Sequence, residues 1–305
     1  MNARLFGGHI LALTAASVLA SCGGSALPVR PNGADAVSSS RGTAAKAQSL
    51  LYVSDLGTNA VDVFSYPALK AMGSLHDFGS VAGLCTDKAG DVFVVDEDGP
   101  VVVYAHGGTT PIRTLSGSGA PYGCSVDPQS GNLAVTQLSS YEDGAVSVYA
   151  KAKGKAKAYV NKKIDATFYC GYDASGNLFA DGWDRYGKFI VAELPKGGSS
   201  LKLFYPGKTV THPGGVQWDG KYLAVGNQDA GLIYRTTKTG TIASTVTLKG
   251  GANVEQFWLD GSTLIGPIAQ SPGVVGFWYY PAGGAATKTL AGFTYPIAAT
   301  VSTAP

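Results

Sequence analysis

Residues 121–137 read PYGCSVDPQSGNLAVTQ, and this stretch contains the unit from which the rest of the domain is built. A short apolar strand ends at Asp127, a tight turn contains Gly131, and a second apolar strand begins at Asn132. Glycine permits a positive φ angle, and Asp and Asn side chains bond to their own backbone. A turn of this composition between two apolar runs therefore predicts a β-hairpin.

The same unit recurs along the chain, with the aspartate as its marker. The marker residues are Asp87, Asp127, Asp173, Asp219 and Asp260. Their spacings of 40, 46, 46 and 41 residues are typical of propeller blades. In most units a third strand ends in an aromatic residue, and a more polar fourth strand follows. Because these aspartates recur at turns, we expect them to be structural.

The two ends of the domain do not match this order, and the mismatch predicts how the ring closes. The first unit begins at a second strand, residues 50–55, and has no inner strand before it. The final stretch, residues 295–302, aligns with the inner strands that precede Asp127 and Asp219. We therefore predict an all-β fold over residues 49–305: a six-bladed β-propeller of four-stranded antiparallel blades. The C-terminal strand would complete the first blade and remove two open sheet edges.

The repeated pattern Gly-x-x-x-Asp, Gly-Asn-Leu and Val-x-Val-Tyr resembles that of the NHL, TolB-like and gluconolactonase six-bladed propellers. The resemblance covers about residues 50–302. It implies the fold, whereas function depends on the sites that a particular chain carries.

The N-terminus has the features of an export signal. Arg4 precedes an apolar stretch, residues 10–20, that is too short for a permanent membrane span. Leu19-Ala20-Ser21-Cys22 resembles the bacterial lipobox, which implies a signal peptide over residues 1–21 and lipid attached to Cys22. We expect residues 22–48, rich in Gly, Ser and Ala, to form a flexible tether. An ordinary secretory signal with a chance cysteine is the alternative.

The lipobox implies a membrane-anchored protein of the cell envelope, on the outer membrane or on the outer face of the cytoplasmic membrane. The formal net charge of +2 gives no electrostatic argument for nucleic-acid binding, and we expect a monomer. Besides Cys22 the chain has Cys85, Cys124 and Cys170, with no Cys-x-x-Cys motif. Cys124 and Cys170 share a register, so a disulfide between them and burial as free thiols both remain open.

Candidate ligand-binding residues lie in loops that we expect at one mouth of the ring, before the inner strands and between the second and third strands. Two of these loops, residues 138–144 and 181–187, break the repeat and carry aromatic residues. The candidates are Asp96, Tyr141, Trp183, Tyr186, His212, Asn227 and Glu255. Tyr122 and Tyr295 belong to the wider set of polar residues at the same mouth.

No nucleophile motif such as Gly-x-Ser-x-Gly is present, and we predict no catalytic residue, metal site or cofactor. The leading hypothesis is a binding or scaffold module for an envelope protein, peptide or glycan. The gluconolactonase resemblance implies an alternative, a metal-dependent lactonase with calcium held by Glu, Asn and Asp. Glu255 suits that role, but Pro121-Tyr122-Gly123 and Pro213-Gly214-Gly215 lack the Asn of the Pro-Asn-Gly motif. A purely structural envelope protein is the third hypothesis.

Overall fold

Twenty-five strands in six sheets make up the part of the chain that the computed structural model describes, residues 48–117, 119–138 and 145–304. From the inner to the outer strand, blade 1 contains β25 (Pro296–Ser302), β1 (Leu50–Asp55), β2 (Ala60–Ser65) and β3 (Ala71–Leu75). Blade 2 contains β4 (Val81–Thr86), β5 (Val92–Asp96), β6 (Val101–Tyr104) and β7 (Pro111–Leu115). Blade 3 contains β8 (Pro121–Val126), β9 (Leu133–Gln137), β10 (Ala145–Tyr149) and β11 (Lys157–Val160), with a short 3₁₀ turn at Ala150–Ala152.

The other three blades follow the same order. Blade 4 contains β12 (Ile164–Tyr172), β13 (Leu178–Asp184), β14 (Phe189–Leu194) and β15 (Lys202–Phe204). Blade 5 contains β16 (Pro213–Trp218), β17 (Leu223–Asn227), β18 (Leu232–Thr236) and β19 (Ile242–Lys249), and the two-residue strand β23 (Gly284–Ala285) extends it in parallel. Blade 6 contains β20 (Trp258–Asp260), β21 (Thr263–Ile268), β22 (Gly273–Tyr279) and β24 (Lys288–Phe293).

The inner strands arrange these sheets in a ring. Each contacts the inner strand of the next blade, in the order β25, β4, β8, β12, β16, β20 and back to β25. The fold is therefore a six-bladed β-propeller, which confirms the prediction. The described residues include no helix that is long and apolar enough to cross a membrane.

The ring closes between the two ends of the domain, also as predicted. β25 pairs with β1 along its length, from Leu50 opposite Ser302 to Asp55 opposite Pro296. All seven residues of β25 are buried. The side chain of His106 lies between the two ends, with Nδ1 2.7 Å from Ser302 Oγ and Nε2 3.0 Å from the Gln48 carbonyl oxygen. The chain thus enters the propeller at the same face at which β25 ends.

The marker aspartates hold turns and join blades, which confirms their structural role. Asp87 Oδ1 accepts hydrogen bonds from the backbone N–H groups of Ala89 and Asp91. Asp219 holds its own turn, and its Oδ2 also accepts bonds from Arg235 Nε at 2.6 Å and from the Tyr280 hydroxyl of blade 6 at 2.8 Å. We call the face formed by these turns the Asp-turn mouth. The opposite face, where the inner strands begin, is the Glu255 mouth.

A disulfide joins Cys85 to Cys124 and leaves Cys170 free and buried. Neither alternative from the sequence describes this arrangement in full: there is no bond between Cys124 and Cys170, and of these two cysteines only Cys170 is a free thiol. Alternate residues of a strand point to opposite faces of its sheet. Cys124 Sγ lies 4.0 Å from the Phe93 carbonyl of blade 2, and Cys170 Sγ lies 3.9 Å from the Ala134 carbonyl of blade 3. Both side chains thus point back toward the preceding blade and cannot meet. Cys85, one residue out of register, points forward to Cys124.

Removal of the closing strand should abolish folding. A chain that ends at Phe293 lacks β25, so β1 loses its partner strand and one face of β4 is uncovered. The core residues that pack against Ile297 and Val301 become exposed to water. We expect the loss to exceed the roughly 5–15 kcal/mol by which such domains are stable. Near-ultraviolet circular dichroism and thermal unfolding measure it. A chain that lacks only Ala304 and Pro305 is the control, and a cooperative transition in the shorter chain would contradict the expectation.

Removal of the disulfide should destabilise the ring without preventing its formation. We expect Cys85→Ala with Cys124→Ala to lower the free energy of unfolding by about 2–4 kcal/mol, since the bond restricts the unfolded chain. Urea denaturation measures the change, with Cys170→Ala as the matched control. In a Cys22→Ser background, thiol titration of the denatured chain should find one thiol, from Cys170, and three after reduction.

Candidate functional site

Inner strands are irregular at the Glu255 mouth. Register shifts interrupt their pairing with the second strands between Val81 and Leu84, Pro121 and Cys124, Thr167 and Cys170, and Pro213 and Val216. Such bulges bend a strand and redirect its side chains. In this ring the redirected residues lie next to the axis.

Each shift contains two residues, and the pairs differ in size from blade to blade. They are Ala82–Gly83, Tyr122–Gly123, Phe168–Tyr169 and Gly214–Gly215. In blade 6, Glu255–Gln256 takes the same position, because Val254 bridges Ile268 where Pro121 pairs with Gln137 in blade 3. Large side chains from blades 3, 4 and 6 therefore share the axis with small residues from blades 2 and 5.

Glu255 reaches across the ring. Its Oε2 accepts hydrogen bonds from the hydroxyl of Tyr122 at 2.9 Å and from that of Tyr169 at 2.8 Å. Blade 3, which carries Tyr122, lies opposite blade 6, so the carboxyl group is on the axis of the propeller. Glu255 is only 7% exposed, and no described donor hydrogen-bonds to its Oε1. This carboxyl group and its two tyrosines form what we call the axial cluster.

Burial controls the protonation of the axial cluster. It raises the pKa of Glu255 to about 7, against the hydrogen bonds from Tyr169 and Tyr122 and the charge of His212, which act to lower it. Burial, followed by the charge of Glu255, raises the pKa of both tyrosine hydroxyls well above their usual value. The tyrosines therefore remain hydrogen-bond donors, while Glu255 can gain or lose a proton near neutral pH.

Aromatic rings line the approach to Glu255. The ring of Tyr122 lies 5.3 Å from that of Tyr169 and 6.3 Å from that of Phe168, measured between centroids. Phe168 in turn packs edge-on against Trp183 at 4.6 Å. Tyr295 lies close enough to Glu255 for that charge to add to burial in raising the pKa of the Tyr295 hydroxyl.

Gln256 closes the axis beside the cluster. Its Oε1 accepts a hydrogen bond from the Leu84 backbone N–H at 3.1 Å, and its Nε2 donates to the Leu84 carbonyl at 2.6 Å. This contact spans blade 1, from blade 6 to blade 2. The contact between Gln256 and Leu84 requires a glycine at position 83. A Cβ atom there would lie only 2.7 Å from Gln256 Oε1 and 2.4 Å from the Tyr122 carbonyl oxygen, which is too close for either atom.

The other candidates from the sequence do not join Glu255. Asp96 accepts hydrogen bonds from the backbone N–H groups of Gly79 and Ser80, so it holds a loop. Asn227 is buried and donates to the Tyr234 hydroxyl at 3.1 Å, while its Oδ1 has no partner in the described structure. Within the described ranges no three His, Cys, Asp or Glu residues form a group that could hold a metal ion.

His212 lies at the rim of the mouth and is paired. Its Nδ1 is 2.5 Å from Asp229 Oδ1, and Asp229 Oδ2 accepts the backbone N–H groups of Thr211 and His212. Burial would raise the pKa of Asp229, but these hydrogen bonds lower it below its usual value. The exposed imidazole of His212 is close enough to Glu255 to act on the pKa of that carboxyl group.

The aromatic loop of blade 4 is partly a strand. Trp183 belongs to β13 and pairs with Phe189, so the prediction of a loop at this residue was wrong. Its half-buried indole donates to the Val210 carbonyl at 3.4 Å. Tyr186 lies in the turn that follows and is 88% exposed. Tyr141 and Cys22 lie outside the described residues.

Tyr169 and Phe168 are functional candidates that the sequence analysis missed, and Tyr122 was only in its wider set. The signal was the alignment of Phe168-Tyr169-Cys170 with Tyr122-Gly123-Cys124 on the shared cysteine. That alignment puts an aromatic residue beside the axis in both blades.

Asp181 is a second buried carboxyl group near this mouth. Its Oδ1 accepts the Tyr169 backbone N–H at 2.9 Å, and its Oδ2 has no partner among the described residues. At the corresponding position, the hydroxyl of Ser54 in blade 1 and that of Thr136 in blade 3 donate to a carbonyl of the next blade. Burial raises the pKa of Asp181 well above its usual value, so the folded protein retains the acid form.

Asp181 should make the protein less stable as the pH rises. The folded state keeps a proton that the unfolded chain loses above about pH 3.9, so stability falls by up to about 1.4 kcal/mol per pH unit until Asp181 ionises in the fold. Asp181→Asn keeps the size and shape of the side chain but replaces the carboxyl group with an amide that does not titrate. We expect its free energy of unfolding to exceed that of the unmodified protein by a margin that grows between pH 4 and pH 8.

Urea denaturation across that pH range measures the margin. Asp165→Asn, which removes an exposed carboxylate from the same blade, is the control and should show no such growth. A margin independent of pH would mean that Asp181 is ionised in the folded protein.

Comparison with known proteins supports the architecture alone. No protein-family model matches the chain, and no curated protein matches it. Among solved structures, a chain from the crystal structure of a nidogen/laminin complex is similar, with a TM-score of 0.69 and 16% sequence identity. The match covers 83% of this chain and 98% of that one. At this identity the likeness shows the propeller fold.

Proposed function

We propose that this propeller is a binding module of the cell envelope and that its ligand presents a protonated amine to Glu255. The observation that carries the proposal is the axial cluster: a buried carboxyl group, bonded by two tyrosines through one oxygen only, with aromatic rings around its approach. Buried carboxyl groups with a perturbed pKa concentrate at functional sites.

The chemistry of the cluster favours an ammonium group over an anion. Oε1 of Glu255 retains an acceptor position, since both tyrosine hydroxyls donate to Oε2. The rings of Tyr122, Tyr169 and Phe168 provide π faces that attract cations. Glu97 adds a second negative charge near Tyr122. The imidazole of His212, at the rim of this mouth, is already paired with Asp229.

The proposal includes the lipid anchor at Cys22 and the relationship to the NHL, TolB-like and gluconolactonase propellers. The lipobox-like residues 19–22 and the repeat support these two points. The disulfide between Cys85 and Cys124 supports an oxidising compartment outside the cytoplasm.

The chain enters the propeller at the Asp-turn mouth, beside His106, and the Glu255 mouth is on the opposite face. A tether from the membrane would therefore leave the Glu255 mouth open to a peptide or other amine-bearing partner.

Binding of an amine should depend on the ionisation of Glu255. With a pKa of about 7, the carboxylate form is a few per cent of the population at pH 5.5 and most of it at pH 8. We expect phenethylamine to bind about 30-fold more weakly at the lower pH, because only the carboxylate pairs with the ammonium group. Ligand-detected nuclear magnetic resonance titrations measure this dissociation constant.

Glu255→Gln should bind phenethylamine weakly and without that pH dependence. The matched control is Glu193→Gln, which removes a carboxylate from β14 and should behave like the unmodified protein. The uncharged analogue 2-phenylethanol tests the role of the ammonium group. Equal binding of the alcohol and the amine, or the same pH profile in Glu255→Gln, would refute the proposal.

A further inference from the structure

A large cavity opens at the Asp-turn mouth, on the face opposite Glu255. Its volume is about 740 Å³, within the range of small-molecule sites. Below it a pocket of about 70 Å³ continues along the axis, and the two share Ser125, Gln217 and Trp258 in their walls. Gln256, Cys85 and Cys124 line this inner pocket, so the contact between Gln256 and Leu84 and the disulfide separate the cavity from the axial cluster.

Three aromatic side chains from consecutive blades line the cavity: Tyr172, Trp218 and Trp258. Lys238 holds the Trp218 ring from one side, with Nζ 4.9 Å from the ring centroid and an ion pair to Asp173. The four tryptophans differ in their N–H partners. Trp183 and Trp278 donate to backbone carbonyls, whereas within the described chain Trp218 and Trp258 have no acceptor. The indoles of the cavity therefore offer two donors and their ring surfaces to a ligand.

The charges around the cavity disfavour an anion. Three carboxylates line it, those of Asp87, Asp127 and Asp260, against the single ammonium group of Lys88 among the described lining residues. Turn N–H groups or the Tyr66 hydroxyl already bind these carboxylates. Neutral groups complete the wall. Gln217 accepts the Leu259 N–H through Oε1, which leaves its amide N–H₂ as a donor, and Ser125 adds a hydroxyl.

We infer that this cavity binds a neutral saccharide. Sugar rings have one face of C–H groups, which packs on indole and phenol rings, and an edge of hydroxyls, which needs neutral donors and acceptors. Trp218, Trp258 and Tyr172 provide the rings, and Gln217, Ser125 and the indole N–H groups provide the hydrogen bonds. The site is independent of Glu255, so it is a second function of the propeller.

The test uses the Cys22→Ser protein and four trisaccharides. Triacetylchitotriose, cellotriose and maltotriose are neutral, and trigalacturonate is the anionic comparison. Isothermal titration calorimetry and intrinsic tryptophan fluorescence measure binding. We expect at least one neutral trisaccharide to bind with a dissociation constant of about 1 mM or tighter, and trigalacturonate to bind at least about tenfold more weakly.

Variants connect the binding to the cavity. Trp218→Ala and Trp258→Ala should each weaken it at least about tenfold, and Trp183→Ala, at the other mouth, should not. Should a tryptophan variant fail to fold, Gln217→Ala and Ser125→Ala should weaken binding instead. Lys88→Glu should leave a neutral sugar bound. Glu255→Gln should also retain binding, which keeps the result separate from the proposed amine site.

Three outcomes would overturn the inference. The first is that none of the three neutral trisaccharides binds at concentrations up to about 10 mM. The second is that binding persists unchanged in the folded Trp218, Trp258, Gln217 and Ser125 variants. The third is that Lys88→Glu abolishes binding, as a site for an anion requires.

Discussion

Pairing between β25 and β1 holds the ring closed, and the arrangement at the axis depends on it. A strand from the C-terminus, buried at all seven positions, occupies the inner place of the blade that the N-terminus begins. Only a closed ring places blade 6 opposite blade 3 and so brings Glu255 to Tyr122. His106 holds the same junction at the surface through Ser302 and the Gln48 carbonyl.

Closure also leaves little space at the axis, and the inner strands fit there because some contribute large side chains and others contribute glycine or alanine. Six inner strands converge there, and those of blades 2 to 6 each contribute a pair of residues at the corresponding position. Gly83 in blade 2 leaves room for the side chain of Gln256, and Gly214–Gly215 in blade 5 let the backbone of blade 6 approach closely. The cost of burying a carboxyl group is offset by hydrogen bonds from tyrosine hydroxyls, each of which contributes about 1.5–3 kcal/mol to a charged acceptor. The balance leaves Glu255 near the midpoint of its titration at neutral pH.

The two mouths of the propeller therefore differ in chemistry. The Glu255 mouth is aromatic and carries a buried carboxyl group that changes protonation near pH 7. The Asp-turn mouth is wide, and its carboxylates are largely committed to turns, which leaves neutral donors and two indoles. Gln256 and the disulfide lie between them. A ligand at one mouth would have no direct contact with a ligand at the other.

Local sequence determined the strands, the turns, the number of blades and the manner of closure, because these follow from alternating apolar residues and from Asp and Gly at fixed intervals. The sequence also indicated Glu255 as a candidate binding residue, because it is a carboxylate at the start of a predicted inner strand. Contacts across the ring were decided by tertiary structure alone. Cys124 bonds Cys85 and not Cys170 because cysteines in the same register face the same neighbouring blade, whereas Cys85, one residue out of register, faces the opposite way. Tyr169, aligned with a glycine in blade 3, meets Glu255 because residues 86 positions apart converge on one axis. No local pattern encodes that distance.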